Sequence, residues 1–235
     1  EVGIGHTLGD AVDQPVVLLK SAIGNRSLGW DLLPPGSERY EHVDPNDGKT
    51  YLYAGYGESP DRWDKGTEPQ PIGWSAGLQY AGDVARAKAA LSRIAEAYPN
   101  ADGYEIAGFF WWQGDKDRYK AGHADRYEQN LAALIRSLRE DFDAPDAKFV
   151  CATLGQTDKE TMSGPEKAIL EAQTAISDAE KHPEFAGSVA TVYTHPLSLG
   201  GASNGHYGGD ARTYMNVGLA MGEEMAKLLA PGRGE

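Results

Sequence analysis

Three polar stretches of this 235-residue sequence carry residue types that are suited to acyl transfer. Gln113-Gly114-Asp115 ends the apolar run at 106–112, a Gly-Asn-Arg turn lies at 24–26, and a Gly-rich loop at 200–209 carries His206. An exposed backbone N–H and a side-chain amide can stabilise an oxyanion, and an imidazole can move a proton. A polar turn after a strand, or a structural histidine in a Gly-rich loop, is equally ordinary. Each feature alone therefore leaves the function open.

Apolar runs and amphipathic segments alternate along the chain. The predicted strands lie at 15–23, 104–112, 147–154 and 187–195, and the predicted helices lie at 3–14, 76–98, 123–142, 165–181 and 210–229, the last one capped by Asp210. Near-continuous apolar strands separated by amphipathic helices predict one α/β domain over residues 1–235, with a parallel sheet covered on both faces. Residues 25–72 have neither helical nor strand period and predict a long loop.

The predicted sheet brings the polar turns to one edge. The turns after its strands begin at Gly24, Gln113, Gly155 and His195. The carboxyl ends of parallel strands meet at the same edge, where open α/β folds place their ligands. The sequence therefore predicts a site at this edge.

Composition excludes several classes of partner. The formal net charge of −13 argues against nucleic acid and against an anionic membrane surface, because both need clustered Lys and Arg. One cysteine, Cys151, excludes an internal disulfide, and its apolar surroundings predict a small buried residue. No run approaches the roughly 18 apolar residues of a membrane span.

Three segments carry a resemblance to a known family. The stretches "VVLLKSAIGNRSLGWDLLPPGS", "GFFWWQGDKDR" and "SNGHYGGDARTYMNVGLAMG" resemble, in order and spacing, three blocks of the sialate O-acetylesterase-like branch of the SGNH (GDSL-type) hydrolases. This branch also contains carbohydrate acetylesterases. The resemblance implies a flavodoxin-like three-layer α/β/α sandwich and a serine esterase that removes acetyl groups from carbohydrates. It further implies export from the cytoplasm to the periplasm or beyond, and no cofactor.

The resemblance also assigns roles to individual residues. It makes Gly24 the backbone oxyanion donor, Gln113 the side-chain oxyanion donor and His206 the general base. Neighbouring residues in the same turns are expected to contact the acetylated carbohydrate; they are Asn25, Asp115 and Tyr207.

The sequence departs from the family pattern at two places. The family nucleophile is a serine in a Gly-Gln-Ser-like motif after the first strand, and this sequence has no such motif. The first strand and its serine are therefore expected upstream of Glu1. The family often has an aspartate three residues before the histidine, where this chain has Ser203. Asp115, Asp210 and a backbone carbonyl remain open as partners of the histidine.

Other assignments compete with this interpretation. Ser75 lies in Gly-Trp-Ser-Ala-Gly at 73–77, which matches the nucleophile elbow of α/β-hydrolases, but the preceding residues are Pro-rich and favour a helix start. A metal site could be assembled from three histidines and one acid, but no pair of them has the spacing that puts two ligands on one helix face. These residues are His6, His195, His206 and Asp210. In a non-catalytic, carbohydrate-binding relative, the aromatic residues of the long loop would stack on sugars. The same residues could instead pack the loop onto the core; they are Trp30, Tyr53, Tyr56, Trp63 and Trp74.

Overall fold

The computed structural model describes residues 1–230, apart from the side chain of Asn204. The helices are α1 (Val2–Ala11), α2 (Leu78–Leu91), α3 (Ile94–Ala97), α4 (Ala121–Asp125), α5 (Tyr127–Asp141), α6 (Gly164–Ala175) and α7 (Ala211–Leu229). The strands are β1 (Tyr40–Val43), β2 (Thr50–Tyr53), β3 (Arg62–Asp64), β4 (Gly108–Trp111), β5 (Lys148–Ala152) and β6 (Val189–Val192). No helix of the described chain is long and apolar enough to cross a membrane.

The described chain divides into two compact units. The first, called the parallel-sheet unit, contains Glu1–Lys20, Ala107–Asp115 and the chain from Asp146 onward. The second, called the antiparallel-sheet unit, contains Ser21–Ile106 and Lys116–Pro145.

The parallel-sheet unit is a sheet with helices on both faces. Strands β4, β5 and β6 lie side by side in that order, and both pairs are parallel. Val150, Ala152 and Val192 form one core with residues of α1 and α7, among them Leu8 and Met221. The predicted α/β class with a parallel sheet is confirmed, as expected for the SGNH fold.

The opposite face of this sheet contacts α6. Side chains alternate between the two faces of a strand, so Thr191 points away from the side that carries Val192. Its Oγ1 donates a hydrogen bond of 2.6 Å to the carbonyl of Gln173 in α6. The unit therefore has three layers, with α1 and α7 on one side and α6 on the other.

The last helix begins where the sequence predicts it. Asp210 is the N-cap of α7, and its Oδ1 accepts a hydrogen bond of 2.9 Å from the backbone N–H of Arg212. Helix starts leave N–H groups without intrahelical acceptors, and an aspartate side chain satisfies one of them. The loop that carries His206 ends directly at this cap.

The prediction of a strand at 15–23 is wrong. No strand is formed there, and Val17, Leu19 and Ile23 are 42%, 50% and 46% exposed. An apolar run becomes a strand only when a neighbouring strand satisfies its backbone N–H and C=O groups. No described strand pairs with this segment, so it belongs to no sheet of the described chain.

The prediction of a long loop without secondary structure at 25–72 is also wrong. It contains the antiparallel sheet β1-β2-β3, with Tyr40 opposite Tyr53 and Leu52 opposite Trp63. These strands have only four, four and three residues, which is too short for a clear period-2 pattern among the Gly, Pro and Asp turn residues. Leu33 and Trp63 contribute to a small apolar core beneath the sheet.

Two predicted helices are each split in two. The helix predicted at 76–98 is interrupted between α2 and α3, and the one at 123–142 is interrupted at Arg126 between α4 and α5. The remaining predicted helices and the strands at 104–112, 147–154 and 187–195 are confirmed with shorter bounds.

Candidate active site

The turn that carries Gln113 is held by contacts from two sides. The indole N–H of Trp112 donates a hydrogen bond of 3.0 Å to the carbonyl of Thr153, which follows β5. The Gln113 carbonyl accepts a hydrogen bond of 2.8 Å from Nε2 of Gln173 in α6. Gly114 has φ +149°, and a Cβ there would lie 3.1 Å from Cγ2 of Ile169. Glycine therefore lets the turn approach α6 closely.

The loop that carries His206 has an unusual backbone. His206 and Tyr207 have φ values of 52° and 51°, and Gly208 and Gly209 follow with 62° and 72°. The left-handed conformation costs a non-glycine residue on the order of 1–2 kcal/mol. Such strain persists only when surrounding contacts impose it. The contacts around this loop therefore determine where His206 lies.

Tyr207 provides one of these contacts. Its side chain is buried, its ring stacks on Trp112 at 5.7 Å, and its hydroxyl accepts a hydrogen bond of 3.1 Å from the Gly155 backbone N–H. Burial raises the pKa of Tyr207 to about 12, so the hydroxyl remains protonated. Trp112 precedes Gln113 and Tyr207 follows His206. The stack therefore brings the two turns together.

Ser203 provides a second contact. Its hydroxyl donates a hydrogen bond of 2.8 Å to Oδ1 of Asp115, and its backbone N–H donates one of 3.2 Å to Oε1 of Gln156. Asp115 follows β4, Gln156 follows β5, and Ser203 lies in the connection from β6 to α7. The three turns therefore meet at Ser203, as the shared edge of a parallel sheet requires.

The His206 imidazole itself is exposed. Within the described chain its ring forms no hydrogen bond, and its carbonyl accepts one of 3.3 Å from the Tyr214 hydroxyl. An exposed imidazole is suited to move a proton to and from a bound substrate.

Gly24 and Asn25 lie in the antiparallel-sheet unit. Both are exposed, and Asn25 has φ 60°. The following loop is fixed by Asp117, a buried residue whose two carboxylate oxygens accept hydrogen bonds from the N–H groups of Leu28 and Gly29 at 2.9 and 2.8 Å. The oxyanion role of Gly24 and the substrate contact of Asn25 stay predictions.

The competing assignments receive little support from the geometry. Ser75 accepts a backbone hydrogen bond of 3.2 Å from Leu78, the first residue of α2, and no strand leads into it from 65–72. A nucleophile elbow needs a strand that runs directly into the turn. Ser75 therefore belongs to a helix start, as the sequence predicts. Within residues 1–230, no group of three His, Cys, Asp or Glu side chains has the geometry to hold a metal ion.

Two of the five aromatic residues proposed to stack on sugars, Tyr53 and Trp63, are buried in their unit. Tyr53 and Trp63 are 1% and 7% exposed, and Trp74 lies under the Arg26 guanidinium at 4.3 Å. Tyr56 is the more exposed member of this set at 38%. A buried ring has no face to offer a sugar, so Tyr53 and Trp63 are core residues.

The comparison with models of protein families shows to which family this chain belongs. The family described as "Carbohydrate esterase, sialic acid-specific acetylesterase" matches residues 53–227. This chain belongs to that family. The carbohydrate esterase match extends from β2 to α7 and therefore includes the Gln113 turn and the His206 loop, which confirms the resemblance noted from the sequence.

Other comparisons add less. No curated protein sequence matches this chain. A crystal structure of a protein from Arabidopsis thaliana is similar, with 20% sequence identity and a TM-score of 0.44. The match covers 63% of this chain and 51% of the plant protein, so the chain spans about half the length of that relative.

Several residues of this esterase-family site are not evident from the sequence. Gln156 and Gly155 appear in the sequence only as the turn after a strand, and Ser203 only as a departure from the family pattern. Tyr207 is predicted to contact substrate, yet its buried hydroxyl is bonded to Gly155; its substrate contact stays a prediction. The signal that could have identified Gly155 is the position of a glycine at the carboxyl end of a buried strand.

Proposed function

We propose that this chain supplies a side-chain oxyanion donor, Gln113, and the general base, His206, of a serine-type carbohydrate O-acetylesterase. Membership of the carbohydrate esterase family supports the reaction class. The observation that carries the assignment of residues is the contact between the Gln113 turn and the His206 loop, through the Trp112–Tyr207 stack and the Asp115–Ser203 hydrogen bond. These contacts put an amide donor and an imidazole on adjoining turns, the arrangement that acyl transfer needs.

The proposed reaction has two halves. A serine hydroxyl attacks the acetyl carbonyl while His206 takes its proton, and the Gln113 amide stabilises the oxyanion of the tetrahedral intermediate. The sugar hydroxyl leaves with the proton from His206, and the acetyl group remains on the serine. Water, deprotonated by His206, then releases acetate and restores the serine. No cofactor enters this sequence.

The nucleophile in this proposal comes from a segment outside the printed sequence. The chain lacks a Gly-Gln-Ser motif. Two serines lie in the loop between β6 and α7, and their hydroxyls are engaged: Ser198 donates to the Thr194 carbonyl at 2.8 Å, and Ser203 donates to Asp115. We therefore assign neither of them the nucleophilic role.

Hydrolysis of 4-nitrophenyl acetate and of an O-acetylated sugar tests the proposal. The 235-residue chain should be inactive, and the same chain joined to an N-terminal segment that supplies a strand and Gly-Gln-Ser should be active. In the active form, His206→Ala should lower kcat by roughly 10²–10⁴-fold and Gln113→Ala by roughly 10²–10³-fold. His6→Ala, an exposed histidine on α1, is the matched control and should leave kcat unchanged.

Two results would contradict the proposal. Turnover by the 235-residue chain that disappears in the His206 variant would show that the nucleophile lies within these residues. Acetyl hydrolysis by the extended chain that survives His206→Ala would show that another group is the base.

A further inference from the structure

Asp115 forms a direct link between the Gln113 turn and the His206 loop. Its Oδ1 accepts the 2.8 Å hydrogen bond from the Ser203 hydroxyl, and the Ser203 N–H is bonded in turn to Gln156. A hydrogen bond to an ionised carboxylate is roughly twice as strong as one between neutral groups. Ser203 is therefore anchored to the turns after β4 and β5 by two different groups.

The position of these anchors matters because of the backbone that follows. His206 lies between Ser203 and Tyr207, which are both tied to the sheet edge, and its own ring is exposed. The left-handed backbone of His206 and Tyr207 is strained and depends on such ties. Loss of the tie at Ser203 would leave the loop attached through the Tyr207 side chain and through the hydrogen bond from the Tyr214 hydroxyl to the His206 carbonyl.

The other acid close to this loop is already engaged. Asp210 caps α7 and pairs with the Arg212 guanidinium at 2.6 Å, and the Arg212 side chain lowers the pKa of Asp210 through its hydrogen bonds. Asp210 thus serves the start of the helix. Asp115 is the carboxylate that accepts a hydrogen bond from Ser203, three residues ahead of His206.

We infer that Asp115 is a positioning residue, which places the His206 imidazole for catalysis by holding Ser203. The inference rests on the proposed function for its catalytic consequence. It gives Asp115 a role different from the substrate contact that the family resemblance implies, and the two roles predict different kinetics.

Steady-state kinetics separate these two roles. The measurements use the form that hydrolyses the acetate ester, either the 235-residue chain or its extended version. Asp115→Ala and Ser203→Ala should each lower kcat by about 10- to 100-fold, because a small displacement of a catalytic group is costly. KM should stay within about twofold for both variants, since neither residue binds substrate in this account. The double variant should be no slower than the slower single variant, because both changes remove one interaction.

Two variants control for simple structural damage. Asp115→Asn keeps an oxygen that can accept from Ser203 and should recover most of the kcat lost in Asp115→Ala. Asp10→Ala removes an exposed aspartate of α1 and should behave like the wild type.

Three results would overturn the inference. A higher KM with unchanged kcat in Asp115→Ala would show a substrate contact. Losses that multiply in the double variant would show two independent roles. Complete inactivity of Ser203→Ala beside a mild effect of Asp115→Ala would identify Ser203 as the nucleophile.

Amide hydrogen exchange tests the positioning role without relying on esterase activity. The Tyr207 N–H donates to the Ala202 carbonyl and the Asp210 N–H to the Tyr207 carbonyl, both within the loop. In the 235-residue chain, Asp115→Ala and Ser203→Ala should each remove protection at these two amides, and Asp10→Ala should not. Lost protection without esterase activity in any form would reject the proposed function and keep the positioning role. Unchanged protection in an active enzyme would reject the positioning role alone.

Discussion

Replacement of Gly155 by alanine is expected to disturb the candidate site through a single methyl group. The backbone of Gly155 lies outside the left-handed region, so alanine can adopt it without strain. The new Cβ would lie 2.0 Å from Oγ of Ser198, 2.7 Å from its Cβ and 2.8 Å from Cε1 of Tyr207. Carbon atoms in ordinary contact are about 3.5–4.0 Å apart. One or both neighbours must therefore move by about an ångström.

The cost follows from what each neighbour would lose. Movement of Ser198 breaks its bond to the Thr194 carbonyl, and movement of Tyr207 weakens both its bond to Gly155 and its stack on Trp112. Overpacking of a filled interior and the loss of one buried hydrogen bond together destabilise the fold by about 2–4 kcal/mol. Displacement of Tyr207 should also shift His206 and lower the kcat of the active form by about 10- to 100-fold.

Urea denaturation followed by tryptophan fluorescence measures the first effect, and ester hydrolysis measures the second. Gly205→Ala is the matched control, because Gly205 lies in the loop that carries Tyr207 and its added Cβ would meet no atom within 4 Å. The combination of Gly155→Ala with Ser198→Gly should recover about 1 kcal/mol, since it removes the two closest contacts. A Gly155→Ala protein with wild-type stability and wild-type kcat would refute the packing argument.

Three further predictions concern buried groups. Cys151 is fully buried and its burial raises the pKa of the thiol, so iodoacetamide should modify it only after the protein unfolds. Burial lowers the pKa of His123 from 6.5 to about 4. The unfolded state therefore binds a proton more readily, and on the order of 3 kcal/mol of stability should be lost as the pH falls from about 6.5 to about 4. Asp117→Ala should cost about 2–5 kcal/mol in urea denaturation, because it removes the acceptor of two buried N–H groups, those of Leu28 and Gly29.

Each of these predictions has a result that would contradict it. Rapid alkylation of Cys151 in the native protein would show that its strand opens readily. For His123, Oδ1 of Asp61 lies 2.9 Å from Nε2 and would favour the imidazolium, although Lys120 contacts the same carboxylate. If Asp61 outweighed burial, stability would instead fall as the pH rises above about 6.5. His123→Asn should remove the pH-dependent loss in either case. For Asp117, an alanine variant as stable as the wild type would show that the two N–H groups find other acceptors.

The strands of the parallel sheet could be predicted because burial on both faces leaves a direct mark on the sequence. Residues 147–154 and 187–195 read as continuous apolar runs, and each is followed by a turn that the structure places at the sheet edge. Helix α7 was equally predictable, since Asp210 supplies a cap that depends only on local backbone groups. The Gln113 turn and the His206 loop were identified as neighbours for the same reason, because parallel strands end at a common edge.

The failed predictions concern segments whose structure depends on a partner elsewhere in the chain. The run at 15–23 has the composition of a strand, but pairing with another strand decides whether it becomes one. The sheet β1-β2-β3 was missed because its strands are too short to show a period, and pairing between strands rather than local preference forms it.

The residue types of the candidate site, an amide, an imidazole and an acid on successive turns, are a property of the sequence. Which of them touch is a property of the tertiary structure. Asp115 and Ser203 are 88 residues apart, and Gly155 and Tyr207 are 52 apart. No local preference reports a hydrogen bond across such a distance, because it forms only after the strands pair and bring their turns together. The sequence therefore specifies the chemistry that is present, and the packing of the sheet decides which group holds His206 in place.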